Sequence, residues 1–186
     1  DDRTSVKLVV NSVALPLAQD ALGLTRAQFN TNPRGVDPVA ETFNTRQTVD
    51  QTQRGRSAER RLGESATLQL MLYGGQRDTE QFQAIPVAPQ ANPLHPGGVI
   101  QLARSYRGAD LRWTWAATPE RPLSVVGGLA FDNLQEHRVG RQNFVGATLG
   151  VEGALRRDEH NRARNLDPYL QIGWQLAPSL NLNAGL

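Results

Sequence analysis

The chain has no cysteine, only one lysine (Lys7) and no long apolar run among its 186 residues. Without cysteine there are no disulfides, no thiol chemistry and no cysteine-ligated zinc. No apolar run approaches the roughly 18 residues of a transmembrane helix, although the strands of a membrane barrel are only about 10 residues long and alternate. The net charge is +2 and the basic residues are spread along the chain, so we expect no nucleic-acid partner.

Enzyme and cofactor signatures are missing as well. No serine lies in a G-x-S-x-G elbow, and the paired glycines lack the spacing and helix context of a phosphate-binding loop. His95, His137 and His160 fall in predicted loops, where the strings "LQEHR" and "DEHNR" match no metal-ligand spacing. We therefore expect no enzyme, no resident cofactor and no metal site.

Alternation of apolar and polar residues dominates the chain and predicts strands. Seven segments show it or are rich in strand-forming residues: Thr4–Asn11, Thr42–Gln53 (polar on both sides), Glu64–Gly75, Ala109–Trp115, Leu123–Asn133, Tyr169–Leu176 and Leu180–Leu186. The predicted fold class is all-β, an antiparallel up-and-down meander of about seven strands. We expect the first and last strands to be the exposed edges of the sheet.

The predicted connections alternate in length. Long ones fall at about Leu15–Glu41, Ile85–Arg104 and Arg138–Asn165, and short ones at "RGRSAERRLG", "ATPERP" and "LAPS". In a meander this alternation places all long loops at one end of the sheet, as in outer-membrane barrels. In the first long loop, the capping box "TRAQ" and the pair Asp37–Pro38 predict two short helical turns.

One face of the predicted sheet carries leucine and tryptophan, and the other carries Gln69, Tyr73, Arg112 and Tyr169. The apolar face either packs against a second sheet, as in a soluble β-sandwich, or contacts lipid. Three features favour lipid. The face opposite the leucines is polar and partly charged, as a barrel lumen would be. The strands are long, and interfacial aromatics, which prefer the ends of membrane strands, are available in Trp113, Trp115 and Trp174.

Four segments resemble the ferric-siderophore branch of the TonB-dependent outer-membrane receptors. The first segment is "QDALGLTRAQFNTNPRGVDP" together with "FNTRQTVDQTQ", which follows it. The other three are "FQAIPVAPQANPLHPGGVIQL", "LSVVGGLAFDNLQEHRVGRQNF" and "LGVEGALRRDEHNRARNLDPYLQIGWQLAPSLNLNAGL". The resemblance implies a barrel of roughly 22 strands in the bacterial outer membrane, filled by a plug. It also implies uptake of a ferric siderophore, energised by the TonB complex through a TonB box.

No segment of the chain resembles the plug, the TonB box or the terminal aromatic strand, so we expect residues 1–186 to be a partial β-barrel domain. The expected partners of this domain are outer-membrane lipid and the ferric siderophore. The TonB complex is a partner through the plug region, which the chain lacks. Candidate ligand-facing residues are Gln69, Tyr73, Arg112 and Tyr169, with the loop arginines Arg156, Arg157, Arg162 and Arg164. The arginines can attract an anionic chelate, or can pair with lipopolysaccharide or with Asp158 and Glu159.

Two other functions stay open at this point: a soluble β-sandwich ligand-binding module, and a passive porin-type channel. Detergent dependence separates the sandwich from the barrel segment. An open sheet with two free edges and an uncovered leucine face is expected to self-associate or to require detergent.

Overall fold

The computed structural model describes residues 2–117 and 122–186, which form one large antiparallel sheet. Its strands are β1 (Thr4–Gln19), β2 (Arg46–Leu62), β3 (Ala66–Phe82), β4 (Val99–Ala116), β5 (Leu123–Arg141), β6 (Phe144–Val145), β7 (Thr148–Leu149), β8 (Leu155–Ala177) and β9 (Leu180–Gly185). The sheet order is β1-β2-β3-β4-β5-β8-β9, while β6 and β7 form a separate small hairpin. The predicted seven-stranded up-and-down meander is confirmed, with β1 and β9 at the edges.

Most strands are longer than predicted, and the long loops are correspondingly shorter. The loops lie at 20–45, 83–98 and 142–154 instead of Leu15–Glu41, Ile85–Arg104 and Arg138–Asn165. The segment "RGRSAERRLG" is also strand as far as Leu62 rather than a connection. These predictions were wrong because the added residues do not alternate: most of those in β3, β5 and β8 are polar on both faces, whereas Val13–Ala18 in β1 are apolar on both faces and include a proline.

All three long loops nevertheless lie at one end of the sheet, as predicted, because each joins a pair of adjacent antiparallel strands on that side. At the other end, β2 turns into β3 through residues 63–65, and the "LAPS" turn joins β8 to β9. The "ATPERP" turn lies partly outside the described residues.

Both predicted helical turns are present in the first long loop. Helix α1 (Arg26–Thr31) begins after Thr25, whose hydroxyl accepts from Gln28 N while the Gln28 side chain accepts from Thr25 N. Helix α2 (Pro38–Thr42) begins after Asp37, whose carboxylate accepts from Val39 N. A 3-10 turn at Ala88–Ala91 lies in the second loop. Across the described part of the chain, every helix is too short or too polar to cross a membrane.

The buried side chains of the described residues lie at the long-loop end of the sheet, apart from Asn133 on β5. The buried apolar residues are Ala40, Phe43, Phe82 and Val99, and the buried polar ones beside them are Thr45, Gln90 and Asn143. The guanidinium of Arg46 lies 3.4 Å above the centre of the Phe82 ring. The loops are therefore packed around the ends of the strands, while the opposite half of the sheet has no core of its own.

Candidate functional site

The strand register shows which side chains share a face. Directly opposed residues of an antiparallel pair point to the same side, and successive residues alternate. Five consecutive transverse rows on one side of β3, β4, β5 and β8 are almost entirely apolar, and we call this side the leucine face. The rows are Leu123/Trp174, Ala66/Trp115/Val125/Ile172, Leu68/Trp113/Gly127/Leu170, Leu70/Leu111/Leu129/Pro168 and Leu72/Ala109/Phe131/Leu166.

The leucine face is uncovered. Leu72, Leu111 and Leu129 remain 47%, 46% and 44% exposed, and within residues 2–117 and 122–186 no second layer lies against them. All three predicted interface tryptophans, Trp113, Trp115 and Trp174, lie on this face near the short-turn end. A soluble sandwich requires two sheets packed face to face, whereas this part of the chain forms one large sheet.

The leucine face ends abruptly toward the long loops. The next row consists of Arg54, Gly74, Arg107, Asn133 and Arg164, followed by Thr52, Gln76, Ser105, Gln135 and Arg162. Strand β2 interrupts the pattern, since Arg60 lies opposite Leu68 and Arg56 lies opposite Leu72. The apolar surface is thus continuous on β3, β4, β5 and β8 and broken on β2, the strand that is polar on both sides in sequence.

The opposite side, which we call the polar face, carries all four predicted ligand-facing residues of the strands. Gln69 lies directly opposite Arg112, and Arg112 is separated from Tyr169 by Gly128 in the same transverse row. Tyr73 lies two rows farther toward the long loops. The structure therefore brings Gln69, Arg112 and Tyr169 together in one line across the sheet.

Each of the three tyrosines lies across a glycine of the neighbouring strand. A Cβ added to Gly108 would overlap the Tyr73 ring, one added to Gly128 would overlap the Tyr169 ring, and one added to Gly75 would lie 2.7 Å from the Tyr106 hydroxyl oxygen. The hydroxyls then reach one strand farther: Tyr106 donates to Gln53 (3.1 Å) and Tyr169 donates to Asp110 (3.2 Å). Two of the tyrosine hydroxyls thus link strands that are not neighbours in the sheet, β4 to β2 and β8 to β4.

Charged residues occupy the polar face beyond the level of the leucine rows. Arg104 lies between Arg77 and Glu136 in register, and its Nε donates to the Glu136 carboxylate. Burial by itself raises the pKa of Glu136, but hydrogen bonds from Arg104 and Asn161, with the charges of Arg104 and Arg138, bring it below the usual 4.5. Glu136 is therefore held as a carboxylate between cations.

The predicted arginine-rich loop is a strand, and its four arginines face different ways. Arg162 and Arg164 both donate through Nε to Oδ1 of buried Asn133, at 3.2 and 3.3 Å. Arg157 pairs with Glu159 (3.1 Å), and pairing with this glutamate is one of the alternatives that the sequence left open. Arg156 donates to the main-chain oxygens of Asn92 and His95 and so ties the second long loop to β8. They do not form a single anion-binding cluster.

Two of the histidines predicted to lie in loops are in strands. His137 on β5 and His160 on β8 are directly opposed, with ring centroids 4.3 Å apart and planes inclined by 11°. Asp158, two residues before His160 on the same side, lies 2.7 Å from His137 Nε2. Sequence analysis missed this cluster because 21 residues separate His137 from Asp158, and only the hairpin register unites them.

A buried amide pair joins the second and third long loops. Gln90 and Asn143 are both 0% exposed. The Gln90 side-chain amide donates to Asn143 Oδ1 (2.7 Å) and to the main-chain oxygens of Ile85 and Pro86. Asn143 Nδ2 in turn donates to Gln83 O (2.7 Å) and Ile85 O (3.1 Å). Buried hydrogen bonds therefore join the second and third long loops directly.

Comparison with known families gives no assignment, because no protein-family model matches the chain.

Proposed function

We propose that this chain forms part of the wall of an outer-membrane β-barrel, with the leucine face toward lipid and the polar face toward the lumen. The observation that carries the proposal is the uncovered leucine face with its sharp polar boundary. An apolar surface of this extent is unusual on a soluble monomer and marks a protein or membrane contact.

The dimensions of the leucine face fit a bilayer. Its five rows span roughly 27 Å along the strands at about 3.4 Å per residue, or roughly 21 Å of height for a strand tilt of about 40°. The apolar band of outer-membrane barrels is about 25 Å tall and has aromatic residues at its borders. Trp115 and Trp174 supply such residues beside the short turns, which would face the periplasm.

Strand β2 is the least favourable part of this arrangement. Arg56 and Arg60 lie among the leucine rows, where an arginine near the bilayer centre costs roughly 2–4 kcal/mol. Small Ala58 lies between them, so each long side chain has room to extend its guanidinium toward the nearer lipid headgroups.

We further propose that the parent protein is a TonB-dependent receptor that takes up a ferric siderophore. Support for this finer assignment comes from the receptor-like strings in the sequence and from the ordered long loops at one end of the sheet. In this scheme the loops receive the chelate, while Gln69, Arg112 and Tyr169 line the lumen, where they meet the plug or the passing ligand.

Adjacent single-tryptophan probes test which face meets lipid. In a background with Trp113, Trp115 and Trp174 replaced by phenylalanine, Leu70→Trp and Gln69→Trp place the indole on opposite faces of β3. In vesicles containing brominated phosphatidylcholine, we expect strong quenching at position 70 and little at position 69. Equal quenching at both positions, or none at either, contradicts the lipid-facing assignment.

The transport proposal has its own test. The chain reconstituted in vesicles is titrated with a ferric trihydroxamate and with a ferric triscatecholate chelate, with the iron-free chelators as controls. Saturable binding of one ferric form that weakens in Arg112→Gln supports a receptor role. Binding that does not distinguish ferric from iron-free chelators contradicts it and leaves the membrane assignment intact.

A further inference from the structure

A cluster of metal-ligating side chains lies on the leucine-face side of the β5–β8 hairpin, above the apolar rows. It consists of His137, Asp158 and His160, each of which offers one ligand atom, and these atoms all lie within 4.8 Å of one another. His137 and His160 are held opposite each other by the strand register, so their proximity is set by the backbone. No other such trio of histidine, cysteine, aspartate or glutamate is found in the described parts of the chain.

We propose that His137, Asp158 and His160 form a binding site for a divalent first-row transition metal ion. Two imidazole nitrogens and one carboxylate oxygen are a recurrent ligand set for zinc and its neighbours, and three protein ligands leave a coordination position for water. The site goes beyond the proposed function, since it requires only the folded hairpin and no membrane or siderophore.

To accept an ion, the two imidazoles must turn relative to each other, because their nitrogen lone pairs lie in ring planes that are inclined by only 11° and do not meet at one point. Zn–N and Zn–O bonds of about 2.0–2.1 Å place tetrahedral ligand atoms roughly 3.3 Å apart. His137 Nε2 and Asp158 Oδ1 are now 2.7 Å apart, as suits a hydrogen bond, so an ion replacing the shared proton moves them apart slightly. The His137 and Asp158 side chains are 41% and 52% exposed, so both have room to move, and the ring packed against His137 is that of His160.

The surroundings leave the ion accessible from solution. An open groove of about 600 Å³ beside the cluster is lined by His137 and His160 together with Asp78, Ala103, Asn161 and Arg162. The small side chain of Ala103 lies next to His137 in the same row, so the imidazole edge is not covered from that side. Because the three ligands come from both strands of one hairpin, a bound ion also crosslinks β5 to β8 below the third long loop.

Zinc alone is the probe for the first experiment. The folded chain is stripped of metal with a chelator and titrated with zinc chloride in a calorimeter, and we expect saturable binding of one ion per chain. Magnesium and calcium should not bind, because both prefer full sets of oxygen ligands. Cobalt(II) should give visible absorption bands that disappear when zinc is added.

Two variants remove ligands while preserving the fold. H137F/H160F keeps a stacked ring pair and should abolish zinc binding with little change in the urea unfolding midpoint. D158N keeps both imidazoles and should weaken binding about tenfold or more, a loss that even outer-shell substitutions at metal sites cause. His95→Phe, which alters the third histidine far from the cluster in sequence, should leave zinc binding unchanged.

Three results overturn the proposal: no saturable zinc binding by the unsubstituted chain, undiminished binding by H137F/H160F, or equal loss in His95→Phe. In the first case the contact between His137 and Asp158 is a hydrogen bond without a metal-binding role. Because none of these measurements depends on lipid or on a ferric chelate, failure of the metal site leaves the proposed function untouched, and the reverse also holds.

Discussion

At the scale of single residues, the adjacent glycines Gly127 and Gly128 on β5 have different surroundings, although the sequence gives no sign of the difference. Gly127 lies on the leucine face, where an added Cβ would meet the Leu170 side chain at an ordinary 3.7 Å. Gly128 lies on the polar face beneath the Tyr169 ring, where an added Cβ would overlap the ring and lie 2.5 Å from the main-chain oxygen of Leu111. The second glycine, and not the first, is required by a close approach.

Gly128→Ala is therefore expected to destabilise the folded chain by about 1–3 kcal/mol, the usual cost of forcing an extra methyl into a filled space. Gly127→Ala is the matched control and should change stability by well under that amount. The measurement is the urea unfolding midpoint of each variant in the same detergent. Equal effects at the two positions would show that Tyr169 does not lie over Gly128.

Glu136 provides a second residue-level test, this time of pH dependence. Folding lowers its pKa below 4.5, so the ionised carboxylate stabilises the folded state. That contribution is present above the ordinary pKa and is lost as the pH falls through the lower folded-state pKa. Arg104 is 39% exposed, so solvent screening keeps the ion pair to about 0.2–1 kcal/mol.

We expect Glu136→Gln to destabilise the chain by this amount at pH 7 and to cost progressively less below about pH 4.5. Urea unfolding across that pH range measures the difference from the unsubstituted chain. Glu64→Gln, in the exposed β2–β3 turn, is the control and should show no such trend. A cost for Glu136→Gln that persists at pH 2 would mean that packing, and not charge, explains it.

At the scale of elements, the long loops differ from ordinary connections because they contain five of the eight buried side chains of the described residues, and two more, Phe82 and Val99, lie at the strand ends beside them. The Gln90–Asn143 pair makes this possible, since their amides satisfy main-chain oxygens that the loop fold removes from water. A buried polar group left without a partner costs roughly 1–3 kcal/mol, so the pair acts as one unit.

Asn143→Ala should therefore release the second and third loops together, because it leaves the Gln90 amide and the Gln83 carbonyl without this partner. We expect faster protease cleavage within residues 83–98 and 142–154, with the sheet itself intact by circular dichroism. Asn165→Ala, at an exposed position on β8, should leave the cleavage rate unchanged. Cleavage confined to one of the two loops would argue against their coupling.

Strand β5 was only half predicted from the sequence. Leu123–Asn133 was predicted from its alternation, and β5 begins at that Leu123. The remainder of β5 was missed, because Gln135, Glu136 and Arg138 give a strand that is polar on both sides. In such a segment the backbone pairing continues without an apolar face, and single-sequence periodicity has nothing to detect.

At the scale of the whole molecule, the sheet has one apolar side, one polar side, two unpaired edges and a loop unit at one end. Neighbouring positions on β5 test this division directly. Leu129 lies in the leucine rows, while Ala130 lies on the polar face in register with Asp110 and Asp167.

In lipid vesicles, Leu129→Arg should cost roughly 2–4 kcal/mol, since it places a guanidinium near the bilayer centre. Ala130→Arg should be tolerated, because the new cation lies between two aspartates. Folding efficiency and the urea midpoint in vesicles measure both. Similar losses at the two positions would contradict the assignment of one face to lipid and the other to the lumen.

The sequence by itself determined the all-β class, the number and order of the main strands, the two capped helical turns and the face on which the candidate residues of the predicted strands lie. All of these follow from local rules, since alternation fixes the face and a capping box fixes a helix start. Gln69, Arg112 and Tyr169 were placed correctly on one side for this reason.

Only the tertiary structure decided which residues meet across strands. The pairing of His137 with His160, the tyrosines over glycines and the Gln90–Asn143 contact all join positions 20 or more residues apart. These depend on strand register and loop packing, which are set by the sum of many contacts along the sheet. No local pattern encodes them, because a shift of the pairing by a single residue would exchange the two faces of a strand.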